Sequence, residues 1–151
     1  MVDRFEKFSL AISEISKYWH KLAAEEMEKY GLRSTHSIYI LTMAKYPQGI
    51  TAPQICEYCN KDKADVSRMM AIMEEKGLVK KEGTNQNLYR GVFKLTETGK
   101  KAAEHVHQRA SLAVELAGKD LTEEKRNIFY EVLESIVFNL RELSKKGIPE
   151  Q

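Results

Sequence analysis

The apolar positions of this chain recur with helical spacing at both ends and break into shorter pieces in the middle. Between residues 3 and 30, Phe5, Phe8, Ile12, Ile15, Trp19 and Leu22 stand three or four residues apart, a heptad-like seam on one long helix. A second seam runs through Phe129, Leu133, Ile136, Leu140 and Leu143. Its helix opens at Thr122-Glu123-Glu124 and closes at Lys145-Lys146-Gly147, with acids and bases placed to suit the helix dipole. Seams this narrow suit helix-to-helix contact, so the two terminal helices are expected to pack on each other and on a partner chain, the alternative being that they simply close an intramolecular bundle.

The middle segments are shorter. Residues 34–45 carry Ile38, Leu41 and Thr42, with Ser34 as the expected N-cap, and Pro47-Gln48-Gly49 ends the pattern. Residues 52–59 form a short helix with Pro53 in its first turn, where a missing N–H is harmless. After Asn60-Lys61 another helix starts at Asp62, whose carboxylate caps free amides, and runs to Lys76 before Gly77 stops it. Two short helices joined by a tight turn make a helix-turn-helix. At 100° per residue the second helix turns Val66, Met69, Met70 and Met73 inward and Ala64, Ser67, Arg68 and Ala71 outward, with Lys63 near the edge. A surface of small residues with one long cation and one hydroxyl lets a helix sit close to base edges and phosphates. An ordinary solvated face has the same composition, so the segment C-terminal to the helix carries the weight. Residues 77–81 pair with 91–95 as a hairpin, with residues 83–87 as its turn and Lys81 among its basic positions. The expected fold is mainly α with a small β-hairpin wing. A winged helix-turn-helix occupies residues 34–101, dimerisation helices flank it at 1–33 and 119–151, and a connecting helix spans 102–118.

Length and composition agree with this and narrow it. The 151 residues, 42% hydrophobic and 30% charged, suffice for one domain plus an oligomerisation element. No apolar run approaches the roughly 18 residues of a membrane span, and MVDRFEKFSL lacks the order of a signal peptide, so a cytoplasmic location with no membrane partner is expected. The net charge of +2 is too small to imply nucleic acid alone. Its distribution says more, since residues 60–101 hold ten Lys or Arg against six acids.

The order of these features resembles the MarR family of bacterial transcriptional regulators. The likeness lies in the apolar helix at Ile55–Cys59, the second helix at Asp62–Met73, Glu74-Glu75-Lys76-Gly77-Leu78-Val79, and Leu95-Thr96-Glu97-Thr98-Gly99. It covers residues 34–101 closely. The resemblance implies a homodimer that places a recognition helix in a major groove and a wing in the adjoining minor groove of a pseudo-palindromic operator. Lys63, Ala64, Asp65, Ser67, Arg68, Lys81, Asn87, Tyr89 and Arg90 are then the expected DNA contacts, and Phe5, Phe8, Ile12, Ile15, Phe129, Leu133, Ile136, Leu140 and Leu143 the expected dimer interface. The wing departs from the family's D-x-R. Counted without gaps, the aspartate position falls on Asn87 and the arginine position on Tyr89, with Arg90 one residue later. That implies weaker or differently aimed minor-groove contacts, because Asn87 offers only a neutral hydrogen bond. Asp65 has three open roles: capping the recognition helix, accepting from a cytosine amino group, or excluding unwanted sites.

Other chemistry is thinner. Cys56-Glu57-Tyr58-Cys59 is a C-x-x-C without a second pair to complete a zinc set, so buried structural thiols are expected. His105 and His107 point about 200° apart on a helix, which disfavours shared metal ligation, and no metal or cofactor is expected. No catalytic triad order, carboxylate pair or phosphate-binding glycine loop emerges, which argues against an enzyme. In the family, small aromatic or phenolic effectors often bind between the dimerisation helices and the winged helix. The corresponding candidates are Tyr18, His20, His36, Tyr39, Met43 and Tyr46, with Trp19 beside them. The leading reading is a homodimeric DNA-binding regulator, by resemblance a repressor. The rivals are a winged-helix protein-interaction module without DNA binding and a metal- or thiol-dependent sensor.

Overall fold

The computed structural model describes residues 3–83 and 91–150. These residues form α1 (Arg4–Glu28), α2 (Ser37–Ala44), β1 (Ile50–Thr51), α3 (Ala52–Cys59), α4 (Lys63–Glu75), β2 (Val79–Glu82), β3 (Val92–Leu95), α5 (Glu97–Ala117) and α6 (Glu123–Lys146). The chain divides into two compact units, Met1–Ser111 and Leu112–Gln151.

In the first unit, polar side chains at the helix starts accept from otherwise orphaned amides. Asp3 accepts from the Phe5 amide at 3.2 Å, and Asp62 from the Asp65 amide at 2.8 Å. Thr51 and Gln54 form a reciprocal capping box at α3. Ser34 is not the cap of α2; it begins a single 3-10 turn, Ser34–His36, that leads straight into the helix. Between α3 and α4 the chain turns at Asn60, whose φ of 51° lies in the left-handed region, while the Lys61 amide donates to the Cys56 carbonyl at 3.0 Å. Asn60 is one of the few residue types that tolerate that conformation.

The three strands form an antiparallel sheet in the order β1-β3-β2, with Ile50 opposite Phe93 and Val79 opposite Leu95. The expected hairpin is present, starting at Val79 rather than residue 77. The strand β1 is an addition that the alternation pattern did not reveal. Tyr39, Ile40, Met43, Ile50, Ile55, Val66, Met70 and Met73 form the fully buried centre between α2, α3, α4 and the sheet.

The start of α5 is locked to the end of α4. Thr96 Oγ1 donates to the Gly77 carbonyl at 2.6 Å and accepts from the Gly99 amide at 3.0 Å, and the Thr96 amide donates to the Leu78 carbonyl at 3.0 Å. Gly99 is required here, since a Cβ on it would collide with the Leu78 carbonyl oxygen. The sequence motifs containing Gly77-Leu78-Val79 and Thr96-Glu97-Thr98-Gly99 are thus the two halves of one joint. From this joint α5 runs unbroken to Ala117, across the boundary expected at residue 101. Further along, Glu26 of α1 meets Lys29 at 2.7 Å and, on α5, Arg109 at 3.0 Å and His105 at 3.1 Å. Lys29 first, with Arg109 and His105, holds the Glu26 carboxyl down to about 2. Toward its N-terminus α1 is uncovered: Phe5, Phe8, Ile12, Ile15 and Trp19 are all exposed.

The second unit contains the last residues of α5 and all of α6. Arg126 ties the two together, donating to Glu115 at 2.7 Å and to the Gly118 carbonyl at 3.0 Å. Thr122 caps α6 by accepting from the Lys125 amide. No residue of the 24-residue α6 is buried, although Phe129, Val132, Leu133, Val137, Leu140 and Leu143 all lie on it.

Candidate nucleic-acid interface

The helix α4 has two opposed faces. Val66, Met70 and Met73 are buried and Met69 is half-buried, which fixes the roll of the helix against α2, α3 and β2. Lys63, Ala64, Ser67, Arg68 and Ala71 are exposed on the outside. The side chains nearest the helix are short, and Arg68, about two-thirds exposed, projects beyond them. Such a profile lets a helix approach the floor of a groove.

Asp65 sits at the boundary between the two faces. It does not cap α4, because Asp62 does so by accepting from the Asp65 amide. Its Oδ2 accepts from the Tyr39 hydroxyl at 2.6 Å, and its Oδ1 lies 3.7 Å from Arg68 Nη2. Burial first, then the hydrogen bond and charge of Asp65, raises the Tyr39 hydroxyl well above the ordinary tyrosine range, so it remains a donor. Nothing in the sequence pairs two residues 26 apart, and the aromatic character of Tyr39 pointed instead to a ligand crevice.

At the base of the wing, Lys81 stands opposite Phe93, and its ammonium lies 5.4 Å from the centre of that ring. Lys80 and Lys94 both reach Glu82, at 3.4 and 2.7 Å. Beyond the last pair, Glu82 with Val92, the backbones of Gly83 and Gly91 approach so closely that a Cβ on Gly83 would lie 2.7 Å from the Gly91 Cα. The expected wing contacts Asn87, Tyr89 and Arg90 lie outside the described residues.

No family model matches this chain, and no curated protein matches it. Solved structures do. A MarR transcriptional regulator from Methanosarcina mazei Go1 superimposes with a TM-score of 0.78 at 22% identity, over 91% of this chain and 99% of its own. A MarR family regulator from Listeria monocytogenes in complex with 26mer DNA gives 0.78 at 21% identity, over 100% and 99%. The MepR-DNA complex of Staphylococcus aureus gives 0.78 at 18% identity, over 87% and 97%. The fold is that of the MarR regulators.

Within this MarR fold the six effector candidates separate. Tyr18 and His20 are exposed on α1, and His20 Nδ1 donates to the Ser16 carbonyl at 2.6 Å. His36, Tyr39 and Met43 belong to the buried centre. His36 Nδ1 accepts from the Arg33 amide at 2.8 Å, its Nε2 has no partner among the described residues, and burial lowers its basicity. Tyr46 is on the surface, stacked on Tyr58 with the rings 5.2 Å apart. A groove of about 570 Å³ does lie between α2, β3 and α5, and Met43 is the candidate that lines it. Its other walls come from Leu41, Leu95 and Ala103, with Lys45, Lys100, Glu104 and His107 at its polar positions. Sequence reasoning missed this set because three elements far apart in the chain build it.

The cysteines are free thiols on α3. Cys59 is buried and donates to Thr42 Oγ1 at 3.6 Å, and burial pushes its thiol up. Cys56 is half-buried against the same core. A raised thiol pKa keeps little thiolate available, which opposes redox and metal chemistry at Cys59. Among the described residues no group of three or more His, Cys, Asp or Glu is placed to hold a metal ion, and no helix is long and apolar enough to cross a membrane.

Proposed function

We propose that this chain is a homodimeric, sequence-specific DNA-binding transcriptional regulator that acts as a repressor. The observation that carries the reading is α4 itself. It is held by a buried methionine and valine stripe and offers small residues and Arg68 to the outside, within a fold shared with proteins solved on DNA. The exposed apolar side chains of α1 and α6 support a second copy as the partner, since a monomer rarely exposes so much apolar surface. Two copies present two recognition helices to a two-fold symmetric operator. The groove between α2, β3 and α5 is the effector site, and its apolar walls with lysine, glutamate and histidine at the polar positions suit a small aromatic or phenolic molecule.

Electrophoretic shift against the chain's own upstream region, at about 50 and 200 mM salt, tests the DNA reading. A complex that weakens steeply with salt is expected. Absence of any complex at the lower salt favours a protein-interaction module instead. Arg68→Ala should lower affinity by roughly tenfold or more if α4 is the recognition helix. Unchanged affinity would show that another surface meets the DNA.

A further inference from the structure

Asp65 is an unexpected residue for a DNA-facing helix, because a carboxylate repels phosphate. It is held from below by a residue that DNA does not reach. Tyr39 is fully buried, and its hydroxyl reaches Asp65 Oδ2 at 2.6 Å from α2. The other carboxylate oxygen, Oδ1, faces Arg68 Nη2 at 3.7 Å, one helical turn further along and on the exposed face. Both carboxylate oxygens are therefore directed, one into the core and one toward the guanidinium.

We infer that Tyr39 is a specificity-determining positioning residue, fixing Arg68 through Asp65 for bidentate contact with one guanine in each half-site. This rests on the DNA-binding reading of α4. A guanine offers two acceptors, O6 and N7, to the major groove, and reading both at once demands a guanidinium held in one plane. The guanidinium has five N–H donors in a rigid fork, so two can meet guanine while another faces Asp65 at ion-pair distance. A phosphate-binding arginine needs no such support, since any approach to the charge suffices. The negative charge of Asp65 also disfavours swinging Arg68 outward to a strand, because that would draw the guanidinium away from the carboxylate. Tyr39 completes the arrangement by removing the freedom of the Asp65 side chain, and its own position is fixed by close packing. Specificity at one base pair is in this way set by the hydrophobic core.

The test uses the full chain and the tightest duplex recovered from a random-sequence duplex library by selection with the wild type. Single G·C to A·T changes are made through each half-site, and competition binding is measured for wild type, Tyr39→Phe, Asp65→Asn and Arg68→Ala. The wild type should discriminate by about tenfold or more at one G·C position per half-site, and Arg68→Ala should abolish that preference. Tyr39→Phe and Asp65→Asn should each reduce discrimination several-fold at that same position, with the salt slope and the ranking of other positions unchanged. Circular dichroism and the melting temperature establish that each variant is folded. If folding fails in Tyr39→Phe, the partly exposed Asp65→Asn decides the question. A uniform loss on every sequence, or full discrimination in both variants, overturns the inference while leaving DNA binding in place. Recovery of no duplex by the wild type overturns the DNA-binding reading, and this one with it.

Discussion

The winged-helix segment and the terminal helices use the same apolar residues in opposite ways. From α2 to the first half of α5, Tyr39, Ile40, Met43, Ile55, Val66, Met70 and Val106 are removed from water within one chain. On α1, Met27 is the buried residue, while on α6 none is buried and Phe129, Leu133, Leu140 and Leu143 remain exposed by 40% or more. Each segment therefore finds its stability in a different place. The first is packed around one core, to which α1 adds Met27, whereas the second holds apolar area that a second copy would cover, in line with the proposed homodimer.

The sharpest separation of the two segments is expected from charges placed on α6. Leu133→Asp combined with Leu140→Asp puts carboxylates in the proposed interface, where an unpaired buried charge is worth about 3–5 kcal/mol. Sedimentation should show the mass falling to the 17.4 kDa of one chain, with operator binding lost and the winged helix still folded. A dimer that survives this pair would remove α6 from the interface. The next largest effect is expected in the winged-helix segment. Gly99→Ala forces a methyl onto the Leu78 carbonyl and should cost roughly 2–4 kcal/mol, read as a lower melting temperature whatever the protein concentration. Thr96→Val keeps the shape but loses the cap and the bond to Gly77, for about 1–2 kcal/mol in denaturant titration.

The smallest expected effect is a pH dependence where α1 meets α5. The Glu26 carboxyl is lowered from 4.5 to about 2, so its contribution is complete above about pH 5 and disappears as pH falls through that interval. After solvent screening it amounts to on the order of 1 kcal/mol. Glu26→Gln should flatten the acid limb of the stability curve between those values. An unchanged acid limb would mean that the contacts of Glu26 contribute nothing measurable there.

Much of the fold was legible because it rests on local signals. Pro53, Asp62, Gly77 and Thr122 mark helix ends where the structure has them, and the 3.6-residue spacing of Val66, Met69, Met70 and Met73 identified the covered face of α4. The two residues of β1 were not legible, because a strand that short has no alternation to detect. The candidate site was legible where one helix builds it and illegible where several elements do. His36 and Tyr39 looked like polar handles of a crevice, yet both are buried, and on α2 Tyr39 shares the covered face with Ile40 and Met43 while Ile38 stays exposed. The link from Tyr39 to Asp65 depends on how α2 meets α4, and no spacing rule carries that information.

The helix α5 has a mechanical consequence. It is fastened at its start to the Gly77 carbonyl, through Thr96, and again roughly 15–20 Å along its axis to Glu26, through His105 and Arg109. A helix tied at two points passes part of a displacement at one of them along its length to the other. A tilt of the end of α1 therefore has a path, about three helical turns long, to the backbone that leaves α4.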